Sequence, residues 1–398
     1  MNSLFKVLPL SALAIAIAGC TPQTPETKQV TTEVTQDAKH NDGEKLEQYF
    51  ADMYQIDLKR SPQSQSYRGY KWDYDKWDDI SETAQNDTRK LLEKRLVDLK
   101  KFDLSQLDKQ QKLSVEVALT DIKRRLANDE FRHHTYIMHQ FRAFHTLVPS
   151  FLINIHSISN VDDAKAYITR LNGVDGMFTQ VIEQLKTRQE LGVFPPKWAY
   201  DKMIQASQNV VTGKPFDETS QDSTIWADFK GKVEALELDE GEQSALLADA
   251  KLALNQSLLP AYQNIIQELQ LQRTLSPEGD GVWRLPDSDK WYKNRLEWFT
   301  TTDLDAEQVH QLGLQNVERI HKAMGEIMQQ VEFKGSLQEF FQFMRTSKQF
   351  NYANTYAGRE AYMRDAKNLI DVMEAKIPEY FGLTPKARMQ VKRVEAFR

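Results

Sequence analysis

The sequence predicts a mainly α-helical protein, a multi-helix array with at most a short strand near its C-terminus. Three observations carry this. Gly (16) and Pro (13) are sparse over 398 residues, so the elements are long and seldom interrupted. Apolar residues recur at spacings of three and four in segment after segment. Ser, Asn and Asp stand just before several of those runs, where helices are capped. Composition narrows the function classes too. Lys+Arg is 51 against Asp+Glu at 57, with no basic stripe, so no nucleic-acid partner is expected. A single Cys excludes a disulfide framework and a Cys-rich zinc module.

The chain opens on an address. Met1 to Lys6 carries the amino-terminal charge and one Lys. Val7 to Ala18 is an apolar run, long enough for a signal-peptide core and too short to span a bilayer. Ile17-Ala18-Gly19-Cys20 resembles the bacterial lipobox: small side chains before a thiol that carries the lipid. The alternative is an ordinary secretory signal with a chance Cys. The lipobox reading makes 1–19 a signal peptide and Cys20 the acylated first residue of the mature protein. Several acyl chains on one residue anchor stably, whereas one is marginal. Thr21 after the Cys, by resemblance to lipoprotein sorting in Gram-negative bacteria, favours the outer membrane, facing the periplasm. The partner implied is a membrane, held through the lipid.

Residues 20–43 have few apolar side chains and two prolines; they are predicted to be a flexible tether. The helical domain is placed at 44–398. Leu91, Leu92, Leu96, Leu99 and Phe102 form one apolar stripe, and Leu113, Val117, Leu119, Ile122 and Leu126 another. Asn160 caps a helix through Val161, Ala164, Ile168 and Leu171, which Asn172-Gly173 is predicted to end. Phe178, Val181, Ile182 and Leu185 follow, stopped by Gly192 and Pro195-Pro196. A helix starts after those prolines and breaks at Thr212 to Pro215. Pro260 is predicted to kink or divide a long pattern from Glu242 to Gln272. Ser276 to Pro286 is the clearest loop. Asp305 to Gln308 reads as a capping box before Val309, Leu312, Val317, Ile320, Met324, Ile327 and Val331. Ser336 to Glu339 is a second box. Met389 to Val394 is the only strand candidate.

The chemistry is sparse. There is no His-Glu-x-x-His, Gly-x-Ser-x-Gly, Walker A or Gly-x-Gly-x-x-Gly motif. Glu130/His133, Glu307/His310 and Glu318/His321 have the spacing of half a di-metal carboxylate site. Two of them share one predicted helix about 16 Å apart, too far to bridge one metal pair. Phe131 to His156 is dense in rings: His133, His134, Tyr136, His139, Phe141, Phe144, His145 and His156. Trp283, Trp291, Tyr292, Trp298 and Phe299 form a second such set. Each is either packing or a cleft wall, and packing is the simpler reading. No catalytic or metal-binding residue is assigned from the sequence, and Cys20 is the one site residue named. No cofactor is expected in this chain.

Gly281-Val282-Trp283-Arg284-Leu285-Pro286-Asp287, Trp291-Tyr292 and Thr300 to Asp303 resemble the bacterial domain-of-unknown-function 885 family. Val309 to Leu314, Val317 to Ile320 and Gly335 to Phe340 extend the likeness. Upstream, Tyr167, Arg170-Leu171, Gly192, Pro195-Pro196 and Pro260-Ala261-Tyr262 also fit. Two positions depart: Ser288 stands where Gly is common, and Glu332 where Gly often precedes Phe. The resemblance implies a helical fold similar to thermolysin-like metallopeptidases. It also implies, in full-length relatives, a His-Glu-x-x-Pro-Gly-His zinc signature further along, with zinc as cofactor and a peptide as substrate. This chain does not contain that signature, so it resembles the N-terminal part. The expected function is that of a membrane-anchored part of such a protein, inactive alone, with Phe340, Phe341, Met344, Tyr380 and Phe381 left uncovered. The alternative is a non-enzymatic helical periplasmic lipoprotein that binds or scaffolds. A distant third is a hydrolase whose acids are not identifiable.

Overall fold

The computed structural model describes residues 34–394, with side chains from 42 onward. Cys20 and the signal segment lie outside the described residues. The described residues are helices joined by turns, with no strand among them and one isolated bridge, Lys214 to Asp222. No helix among them is long and apolar enough to cross a membrane.

The first layer is α1 (Val34–Lys59), α2 (Pro62–Tyr67), α3 (Glu82–Leu99) and α4 (Lys109–Asp129). The tether boundary placed near residue 43 therefore falls inside α1. Each later start has a local cause. Ser61 and Ser81 each accept from the backbone N–H three residues on. Asp108 and Gln111 make a reciprocal capping box. Leu46, Leu92, Leu99, Leu107, Val115 and Ile122 pack together between these helices. The stripe on α4 is rotated from the predicted one. Leu113 and Val117 are exposed, while Val115, which the spacing argument passed over, is buried.

The main core follows, from α5 (Phe144–Asn154), α6 (Val161–Glu190), α7 (Lys197–Val210), α8 (Thr224–Glu234), α9 (Glu240–Ala253) and α10 (Leu259–Leu275). Asn160 caps α6 by accepting from Asp163 N–H at 2.9 Å. The helix does not end at Asn172-Gly173. It continues to Glu190, 30 residues in all, and the glycine is there to clear the ring of Trp77. A Cβ built there would sit 3.1 Å from Trp77 Cδ1. Gly192 ends the run with φ +73°, the left-handed region that glycine enters freely. Pro260 divides its long pattern as predicted. A π-turn at Leu254–Leu258 absorbs the missing N–H, and the proline sits in the first turn of α10.

After the loop at 276–287 come α11 (Ser288–Thr300), α12 (Ala306–Gln330), α13 (Leu337–Thr346) and α14 (Tyr356–Tyr380). Both predicted capping boxes are formed, at Asp305/Gln308 and Ser336/Glu339. Burial almost stops here. Between 301 and 394 only Met328, Phe340 and Gly358 are buried. Leu312, Val317, Ile320, Ile327 and Val331 of the predicted α12 stripe are all exposed. Phe340 is covered by Phe333 at 5.1 Å between ring centroids, while Met344, Tyr380 and Phe381 are open. Met389 to Val394 is not a strand. It lies against α14 with Met389 N–H on Glu374 at 3.0 Å, and no strand stands beside it among the described residues.

Candidate functional site

Two buried cations on α6 organise the polar interior. Arg170 is fully buried. Its Nε donates to Lys76 O at 3.0 Å, its Nη2 to Ser66 Oγ at 2.9 Å and its Nη1 to His156 Nδ1 at 2.9 Å. No carboxylate among the described residues pairs with it. The rings of Phe151, Tyr74 and Trp77 cover it at 4.8, 5.1 and 5.6 Å, so the charge is held by π faces, one carbonyl, a hydroxyl and an imidazole nitrogen. Burial lowers its pKa to about 10.

That contact fixes the proton of His156. Nδ1 accepts from Arg170, so Nε2 carries the hydrogen and donates to Asp163 O at 3.0 Å. Burial first, and then Arg170, push its pKa down to about 3. Beside it Tyr167 donates to Asp228 at 3.3 Å, and Lys232 pairs with Asp228 at 2.8 Å. Burial raises the Asp228 pKa and lowers that of Lys232. Lys232 also donates to Leu152, Ile153 and His156 carbonyls at the end of α5, where a cation complements the helix dipole. This network ties α5, α6 and α8 together.

The second cation, Arg188, lines an open cleft of about 840 Å³. The walls are the end of α1 and start of α2 (Asp57, Arg60, Ser61, Ser64), the start of α3, Arg125 of α4, and Gln184 and Arg188 of α6. Arg132, Thr135 and Ile137 reach in from the loop before α5. Arg188 ties that loop down by donating to Thr135 O at 2.9 Å and Arg132 O at 3.2 Å. Burial brings its pKa to about 10. Arg132 is paired with Glu82, which also accepts from Gln184 at 3.3 Å.

The profile of the family described as "Bacterial protein of unknown function (DUF885)" matches residues 62–398. The chain belongs to the DUF885 family. A solved structure, "the putative lipoprotein from Colwellia psychrerythraea", shares the fold with a TM-score of 0.77 at 20% identity. The match covers 87% of this chain and 61% of that one, so the chain spans about three-fifths of the relative's length. A search of proteins with curated functions finds no match.

Several residues of the DUF885 likeness are core positions. Tyr167, Arg170, Leu171 and Tyr262 are fully buried. Glu332, one of the two departures, has φ +55°, a left-handed backbone that glycine would take without strain. Ser288 opens α11, and the left-handed residue there is Asp287 before it.

The structure joins the two ring-rich segments that the sequence presented separately. Trp291 meets Phe131 at 5.8 Å and His134 at 5.5 Å, and His134 Nε2 lies 2.9 Å from Pro286 O. Trp283 and Phe299 stay exposed. His133 faces Glu82, at 3.6 Å, as its charged neighbour. Glu307, His310, Glu318 and His321 are exposed on α12. His145 is fully enclosed with both ring nitrogens unpartnered, and burial lowers its pKa to about 4. Sequence reasoning missed the cleft: its arginines are four among 51 basic residues, drawn from two helices, a turn and a loop, with no shared motif.

Proposed function

We propose that this DUF885 protein is the membrane-anchored, N-terminal part of a longer peptidase-like assembly and has no peptidase activity by itself. One observation carries the reading. α12 to α14 present an apolar face to solvent beyond a bundle that is otherwise well packed, in a chain covering 61% of the solved relative. An exposed apolar stripe of this extent marks a surface awaiting cover. Zinc, which the family resemblance implies for full-length relatives, does not fit the residues present. No group of three or more His, Cys, Asp or Glu is placed to hold a metal among the described residues, and no step is drawn through it. The arginine-lined cleft favours the second reading, a binding lipoprotein without catalysis.

The test is metal analysis and a peptide-library digest on residues 21–398, beside a version extended through any downstream reading frame. The short form is expected to hold no stoichiometric zinc and to cleave nothing. Chelator-sensitive cleavage by the short form would overturn the reading. The anchor is tested through Cys20→Ala, which should abolish palmitate labelling and release the protein from the outer-membrane fraction.

A further inference from the structure

Charges in the Arg188 cleft are not matched within it. Its three lining carboxylates are engaged elsewhere. Asp57 takes a fork from Arg95 at 2.7 and 3.0 Å, Asp87 pairs with Lys90 at 3.1 Å, and Asp79 accepts from Ser81 N–H at 2.9 Å. The cations are less satisfied. Arg125 reaches Asp121 only at 3.8 Å. Arg60 donates from Nη2 to Ala84 O and Thr88 Oγ1, leaving its Nε and Nη1 groups without a partner among the described residues. Arg188 makes four bonds, all to uncharged oxygens, so one of its five N–H groups remains. Neither Arg60 nor Arg188 has a carboxylate within 4.0 Å among the described residues.

The contrast with Arg170 is informative. Both α6 guanidiniums spend most donors on neutral acceptors. Arg170 is then sealed by three rings, while Arg188 opens on 840 Å³ of free space. Arg188 keeps one N–H and Arg60 its Nε and Nη1 groups, and guanidinium N–H donors left free in an open cleft suit a planar or tetrahedral oxyanion.

We propose that this cleft binds a small ligand through an oxyanion, a carboxylate or a phosphate, held by Arg60, Arg132 and the remaining N–H of Arg188. Glu82 is the main internal competitor, with Asp129 also on Arg132 at 3.5 Å. The Glu82 carboxylate lies on Arg132, with Gln184 at 3.3 Å and His133 at 3.6 Å. An incoming oxyanion shares or takes its place. Removing that charge therefore strengthens binding, the opposite of what a purely structural role predicts.

The experiment is calorimetric titration of the purified protein with inorganic phosphate and, separately, with succinate, at low and high salt. Saturable binding is expected, weaker in salt. Arg60→Gln and Arg132→Gln should each weaken it by about tenfold, the loss of one charge-assisted contact. Glu82→Gln should tighten it several-fold. Arg60 is exposed, so its variant stays folded, with circular dichroism as the check. Tighter phosphate binding assigns a phosphate ligand, and tighter succinate binding assigns a carboxylate. No saturable binding of either anion overturns the proposal. So does binding indifferent to Arg60→Gln, or a Glu82→Gln protein that binds more weakly.

Discussion

α6 and α12 are written alike and end differently. Both are long, 30 and 25 residues, and both start at an acid or amide that caps backbone N–H groups. Both carry an apolar stripe at helical spacing. Yet α6 buries 13 residues and α12 buries one, Met328. Helical period thus specifies that a stripe exists, while only tertiary neighbours decide what it meets. α6 is clasped by α5, α9 and α10 and by the loop that brings Trp77. α12 touches little beyond α13.

The comparison breaks most cleanly by truncation. Phe178→Ala on α6 removes a fully buried ring packed 5.0 Å from Tyr262, and should cost about 3–5 kcal/mol. Ile320→Ala on α12 should stay within about 0.5 kcal/mol. Denaturant melts of the two variants decide it. Equal losses would mean that α12 is packed in solution.

Acid sharpens the contrast, because His145 and His156 both belong to the bundle. Their folded pKa values, about 4 and about 3, lie below the ordinary histidine value of 6.5. The unfolded chain therefore binds more protons than the folded one below pH 6.5. Stability is complete above that pH and falls as pH drops toward 4. Each histidine should remove roughly 2–3 kcal/mol by pH 4.5. Unfolding free energy measured from pH 7.5 to 4.5 should slope accordingly, and His145→Leu should flatten the slope. A level profile in the native protein would contradict both burials.

The smallest effect lies in the arm. Glu332 pays the left-handed penalty just past α12, so Glu332→Gly should favour that end by about 1 kcal/mol. Amide exchange near Met328 should slow about fivefold, while the melting of the bundle stays put. A shift in the bundle's own transition would show that the two regions unfold together.

Much of the fold was legible because its signals are local. Asn160, Asp305, Ser336 and Gly192 act within one turn of themselves, and Pro260 acts on the residues just before it. The misreadings are non-local. Gly173 looked like a helix end because its cause, Trp77, lies almost a hundred residues earlier. Val115 was passed over because the stripe on α4 is set by what α1 and α3 present. The cleft was illegible for the same reason: Arg60, Arg132 and Arg188 converge only once Gln184 of α6 meets Glu82 at the start of α3. Trp291 and Phe131 were each noted as ring-rich, but their meeting needed the loop after α10 to fold back. The DUF885 likeness marked Arg170 without giving it a role, since a cation caged by three rings leaves no periodic trace.

The π-turn at Leu254–Leu258 has a further consequence. It holds more backbone per turn than a regular helix, like a stitch added to a row. Winding the same residues as ordinary helix would swing everything beyond them by about 100°. Ala261, Tyr262, Ile265 and Leu269, now buried, would point away from α6, and Tyr262 would lose its 2.6 Å bond to the His145 carbonyl. The irregular turn therefore works as a phase setter. Deleting one residue at the turn would leave ordinary helix with α9 and α10 still in phase, which makes this the point of the long run where a one-residue loss is best tolerated.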